Sequence, residues 1–184
     1  MTRLDAEEYA RLLRTAQPKL WTLAAAILGD RTLAEDVVQD AAVTGLRRLD
    51  DFESGTNFLG WISQIVRFTA LNYLKTRKRR RIVALDVHQD IEQESGETTK
   101  SPVTPDGQLL PDQQAFGDQV ARAIEQLDDV RRSCFLLRVV HNLDYKEIAE
   151  MMDLPPGTAM SHVHRAKSTL RKMLGSRETG EMDE

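Results

Sequence analysis

Apolar positions recur every three or four residues along most of the chain, a period that belongs to helices and not to strands. A first helix is predicted from about Asp5 to Leu28, interrupted near Pro18 and ended by Gly29. Thr32-Leu33-Ala34-Glu35 has the form of a capping box, and Leu33, Val37, Val38, Ala41 and Leu46 carry a second helix to about Leu49. After the turn DDFESGTN, a third helix starts near Phe58. It keeps Ile62, Ile65, Val66, Thr69 and Tyr73 on one stripe and runs into a basic cluster that ends at Arg81.

The period stops between about Ile82 and Pro111. There QDIEQESGETTKSPVTPDGQLLP is polar, acidic and proline-bearing, which is the signature of a linker. Helical spacing resumes over about Phe116–Leu127 and again from an Asp128 cap to about His141. Asp144-Tyr145-Lys146-Glu147 forms another capping box and opens a short helix to Met152. After DLPPG a last helix covers about Thr158–Leu174, with Pro156 near its first turn, where a missing N–H is harmless. The pattern predicts an all-α protein of two small helical domains, 1–81 and 113–177, joined by a flexible acidic linker over 82–112. An acidic tail, 178–184, follows.

A hydrophobic content of 41% in 184 residues is enough for packed cores. The single cysteine, Cys134, cannot form an internal disulfide and lies in an apolar helical run, which suits core packing. Acids occupy the start, where a signal peptide needs an apolar core, and the apolar stretch near Leu20–Leu28 is too short to cross a bilayer. The expectation is a soluble cytoplasmic protein without membrane insertion.

The net charge of −4 looks wrong for a nucleic-acid binder until its layout is read. Arg67, Lys75, Arg77, Lys78, Arg79, Arg80 and Arg81 follow one another without an acid. From Asp86 to Asp129 only Lys100 and Arg122 oppose the acids, and basic character returns at Arg165, Lys167, Arg171, Lys172 and Arg177. Two basic segments separated by an acidic one suggest two contacts with a polyanion.

The last two helices, joined by a tight turn with the second one basic, make a helix-turn-helix. Ala159, Val163, Ala166 and Leu170 recur at four, three and four residues and should face the core. Thr158 stands at the start of that helix, and Met160, Ser161, His164, Arg165 and Ser168 fall on the opposite face, flanked by Lys167 and Arg171. Such a face suits a major groove, with Arg165 to guanine, Ser161 to a base edge or phosphate and Met160 to a thymine methyl. A solvated amphipathic helix in an ordinary bundle would carry the same pattern.

The KTRKRRR run binds phosphate through charge, or is a solvated tail. Phe58, Trp61, Phe68 and Tyr73 share its helix and offer rings on which unpaired bases stack, although Trp61 fits a core better. Asn57 either caps the helix or reads a base edge. Glu35, Asp36, Gln39 and Asp40 form an acidic face that is either merely solvated or reserved for a protein partner. His88, His141, His162 and His164 match no metal-ligand pattern, and no phosphate loop or nucleophile motif is present. Neither a catalytic role nor a cofactor is expected.

With both halves described, the chain resembles the extracytoplasmic-function (ECF) sigma factors of bacterial RNA polymerase. AEDVVQDAAVTGLRRLDDF is similar to the polymerase-binding helix of sigma domain 2, and GTNFLGWISQIVRFTALNYLKTRKRRR to the loop and helix that recognise and melt the −10 element. LDDVRRSCFLLRVVHNLDYKEIAEMMDLPPGTAMSHVHRAKSTLRKML is similar to domain 4, which binds the −35 element. The resemblance implies polymerase docking by Glu35, Asp36, Gln39 and Asp40. It implies −10 contacts by Asn57, Phe58, Arg67, Asn72, Lys75, Arg77, Lys78 and Arg79, with Asn57 in the loop that accepts a flipped base. It implies −35 contacts by Thr158, Met160, Ser161, His164, Arg165, Lys167 and Arg171. The implied partners are core RNA polymerase, promoter DNA and an anti-sigma factor, for a chain that is monomeric when free. Asp128 stands where the family usually has proline, and Met160 and His162 where it commonly has basic residues.

Overall fold

The computed structural model describes residues 4–53, 55–87 and 114–175. Among them run α1 (Ala6–Leu28), α2 (Arg31–Arg47), a short 3-10 turn (Leu49–Asp51), α3 (Phe58–Val87), α4 (Gln114–Glu125), α5 (Asp129–Val140), α6 (Tyr145–Met152) and α7 (Pro156–Gly175). No strand occurs among the described residues.

Local chemistry sets most boundaries. Asp5, Asp128 and Asp144 each accept a backbone N–H from the first turn of α1, α5 and α6, and at Asp144 the Glu147 side chain answers to complete the predicted capping box. Gly29, at φ 65°, ends α1 in the left-handed region that glycine tolerates best.

The expected boundaries need correction in four places. Pro18 lies inside an unbroken α1: Ala16, Leu20, Leu23 and Ala24 are all buried, and their packing on both sides of the ring outweighs the missing N–H. The cap of α2 is Asp30, whose carboxylate accepts from Thr32 and Leu33, so the Thr32–Glu35 capping box does not form. Leu46 is 45% exposed, because Gly45 takes the buried position beside it. A Cβ at Gly45 would come within 2.6 Å of the Tyr9 hydroxyl, which donates to the Ala42 carbonyl and locks α1 against α2. Finally, α3 continues past Arg81 to Val87, so the first six positions of the expected linker are helical. Nothing between Arg81 and Val87 is a glycine or proline that would stop it. The rest of the expected linker, 88–112, and the expected tail, 178–184, lie outside the described residues, as do 113, 176 and 177.

Helices α1 to α3 pack on one another, as do α5 to α7, with α4 laid on α7. The two halves are not separate. One buried cluster holds Leu20, Leu23, Ile62 and Val66 from the first half together with Cys134, Leu137, Ile148 and Met151 from the second, and α1 meets α5 while α3 meets α6. A smaller cluster, Ala123, Leu127, Ala166 and Leu170, seats α4 on α7. Cys134 is fully buried, as expected, and burial pushes its thiol up to about 12.

Polar bonds finish the seam between the halves. Arg132 donates from Nε to the Ala26 carbonyl at 2.5 Å and from Nη1 to the carbonyls of Glu125 and Leu127, tying the ends of α1 and α4 to α5. The Ala26 carbonyl belongs to the last turn of α1 and has no partner further along the helix, so the guanidinium satisfies a group that would otherwise be left bare. Thr22 and His141 are 2.8 Å apart across the same seam, and burial together with the nearby Lys19 lowers the pKa of His141. No helix among the described residues is long and apolar enough to cross a membrane.

Candidate nucleic-acid interface

The helix-turn-helix is built as its periodicity predicts. Asp153, at φ 54°, ends α6, the Leu154 N–H returns to the Ala149 carbonyl, and Pro156 opens α7. Ala159, Val163, Ala166 and Leu170 are buried against the other helices. Their burial turns Met160, Ser161, His164, Arg165, Lys167 and Arg171 outward, all exposed, with Thr158 half-buried at the entry. Ser161 donates to the Gly157 carbonyl at 2.9 Å; the side chains of His164, Arg165, Lys167 and Arg171 bond to nothing among the described residues. His162 lies half-buried on another face, with its Nδ1 buried and unpartnered.

Along α3, Phe68, Asn72, Lys75 and Arg79 follow at four, three and four residues and share a solvent face, with Lys78 beside it. Phe68 is 69% exposed, an unusual place for a phenyl ring on a protein surface. Arg77 is also exposed but projects from the continuation of the buried stripe, as does Tyr73, 39% exposed, because α3 outruns the bundle there.

Two of the residues assigned to the −10 element are placed otherwise. Phe58 is buried in an aromatic cluster, edge-on to Tyr9 and Phe52 at centroid distances of 5.7 and 5.8 Å, with Trp61 alongside. A ring so enclosed cannot stack on a base, and the apolar surface it would expose explains why it packs inward. Arg67 is half-buried and donates to Gln64 Oε1 at 2.8 Å. Asn57 does cap α3: its Oδ1 accepts from Leu59 and Gly60 at 3.0 and 3.3 Å. Its Nδ2, however, donates to Glu150 of α6. Gln64 in turn donates to the backbone carbonyls of Glu150 and Met151 at 3.1 and 3.4 Å. Neither Gln64 nor Glu150 was marked by any sequence pattern, since the partners lie more than eighty residues apart.

On α2, Glu35, Asp36, Gln39 and Asp40 are all exposed, and their side chains bond to nothing among the described residues. Beyond them along the helix, Val43 and Leu46 add apolar surface, 49% and 45% exposed. No group of acids, histidines and cysteine that could hold a metal occurs among the described residues.

Residues 12–80 match the family model for sigma-70 region 2, and residues 117–170 the model for sigma-70 region 4. The ECF sigma-E factor of Escherichia coli (strain K12) is 35% identical over 136 residues, 73% of this chain and 70% of that protein. The chain belongs to the ECF RNA polymerase sigma factors. These proteins are transcription initiation factors. The ECF sigma factor SigW of Bacillus subtilis (strain 168) is 28% identical over 174 residues, 92% of this chain and 90% of that protein. Among solved structures, the sigma factor RpoE of Bartonella quintana, in complex with the anti-sigma factor NepR, superposes with a TM-score of 0.65 at 23% identity. That match covers 94% of this sigma factor and 99% of the other. CnrH, in complex with the cytosolic domain of CnrY, gives a TM-score of 0.61 at 18% identity, covering 94% and 91%.

Proposed function

We propose that this sigma factor binds core RNA polymerase, directs it to promoters through −35 and −10 elements, and promotes opening of the duplex by binding alone, without catalytic chemistry. Helices α1 to α3 form the module for polymerase and the −10 element, and α4 to α7 the module for the −35 element. The observation that carries the reading is the pairing of region 2 and region 4 matches, in that order, with an α7 whose polar face is open over a fully buried core stripe.

Each surface then has a task. The acidic face of Glu35, Asp36, Gln39 and Asp40 docks core polymerase, which explains exposed acids on a DNA-binding protein, where they would otherwise oppose the ligand. Asn57 offers its amide to a flipped base of the non-template strand, while Asn72, Lys75, Lys78 and Arg79 hold the backbone and Phe68 supplies a stacking ring. Arg165 reads a base edge at −35, assisted by Met160, Ser161 and His164, and Lys167 and Arg171 hold phosphates. The chain works in the cytoplasm, is monomeric when free, and is held by an anti-sigma factor until needed.

Run-off transcription with purified core polymerase and a pool of genomic fragments tests the whole. Discrete transcripts that depend on the added chain are expected. Their absence would leave either a self-sufficient helix-turn-helix regulator, which would bind a palindrome as a dimer, or an adaptor with no affinity for DNA.

A further inference from the structure

The two halves meet through polar atoms at the N-terminus of α3, where the −10 reading places base capture. The Oδ1 of Asn57 is engaged by the first turn of α3, so Nδ2 is the side-chain group left to offer a base. That group donates to Glu150 Oε2 across 93 positions of sequence. Two turns further on, Gln64 bonds the carbonyls of Glu150 and Met151 in the last turn of α6, and its own Oε1 accepts from Arg67. The backbones also approach closely here, since a Cβ on Gly60 would lie 3.6 Å from that of Glu150.

A carboxylate oxygen is a hydrogen-bond acceptor, as are the ring nitrogens and carbonyl oxygens on the edges of bases. We infer that Glu150 is an internal competitor for the single-strand site: in the free chain the helix-turn-helix half closes on the N-terminus of α3, and capture of an unstacked base requires Glu150 to leave. The inference rests on the −10 reading of Asn57.

Distance supports it independently. At a rise of 3.4 Å per base pair, −35 and −10 elements lie roughly 85 Å apart on duplex DNA. In the closed chain α6 touches the start of α3, and α7 follows α6 after only a tight turn. The two readers cannot reach both elements without parting, and the Asn57–Glu150 bond is on the surface that must part.

Binding of a fluorescein-labelled single strand of mixed sequence to the full chain, read by anisotropy, tests this. Glu150→Ala should tighten binding about tenfold, the worth of one charge-assisted hydrogen bond, and Asn57→Ala in that background should erase the gain. Gly60→Cys with Glu150→Cys brings two Cβ atoms within disulfide range. The oxidised pair should lose strand binding and the reduced pair recover it. Cys134, buried and with its thiol pushed up to about 12, stays out of the exchange. If wild type, Glu150→Ala and the oxidised pair bind alike while Asn57→Ala still weakens binding, the competitor is overturned and the −10 reading stands. If Asn57→Ala changes nothing in either background, the −10 assignment of Asn57 fails, and the inference with it.

Discussion

The outward face of α7 and the N-terminus of α3 are both assigned to DNA, yet the folded chain treats them differently. Arg165, His164, Lys167 and Arg171 bond to nothing among the described residues, so this face of α7 stands open. Asn57 has both polar side-chain atoms bonded, Oδ1 twice to its own helix and Nδ2 to Glu150 of the other half. A duplex presents its base edges without being opened, so a reader of duplex can stay exposed at no cost. A reader of unstacked bases has a ligand only after melting, and until then its donor is best satisfied within the protein.

The acidic face of α2 gives the most severe test, because it is open like α7 but carries the opposite charge. Asp36→Lys with Asp40→Lys should abolish co-purification with core polymerase, a loss of roughly a hundredfold or more when like charges are juxtaposed. Circular dichroism should show the helices intact. Unchanged binding would make this face merely solvated.

Asn57→Ala tests the engaged site. Permanganate reactivity of promoter thymines should fall about tenfold in the open complex while closed-complex formation changes little, the size expected for losing one or two hydrogen bonds to a captured base. The cap is also lost, at about 1 kcal/mol of stability. Equal loss in both complexes would mean that the cap is its only role.

At the open site, Arg165→Ala should relax preference at one or two adjacent −35 positions by roughly 1–3 kcal/mol and leave −10 preference untouched. Selection on randomised −35 sequences measures this, and indistinguishable motifs from wild type and variant would remove Arg165 as a base reader. Lys167→Ala or Arg171→Ala should instead weaken all promoters alike and reduce the salt slope by about 1.

The smallest effect concerns the seam itself. His141 is held below its ordinary pKa by burial and by Lys19, so the unfolded chain binds its proton more readily than the folded one. Its contribution to stability is present above about pH 6.5, the ordinary histidine value, and is lost as pH falls toward the lower folded pKa. Thermal unfolding should therefore show a shallow loss on acidification that His141→Asn flattens. A variant with the same pH slope as wild type would exclude His141 as its source.

The helix-turn-helix was legible because everything that defines it is local. The spacing of Ala159, Val163, Ala166 and Leu170 states which side is buried, and the Asp144–Glu147 capping box lies within four residues. The acidic face of α2 was legible for the same reason. Errors arose where two local signals competed. Asp30 and Thr32 are both good caps, and only the path of the chain after Gly29 decides that Asp30 takes the N–H groups. Phe58 carries the same ring as Phe68, but one enters the cluster of Phe52, Trp61 and Tyr9 while the other remains in solvent.

Sequence by itself determined the helices, the outward polar face of α7 and the two-part order of the chain, because helical period, capping and charge act over a few residues. Tertiary structure alone decided that the halves share one core, that Arg132 bridges α1, α4 and α5, and that Glu150 holds the amide of Asn57. Those bonds join residues separated by up to about a hundred positions, and hydrogen-bonding capacity carries no address. Any exposed glutamate could serve an asparagine, and which one does is set by how the apolar faces of α1, α3, α5 and α6 pack.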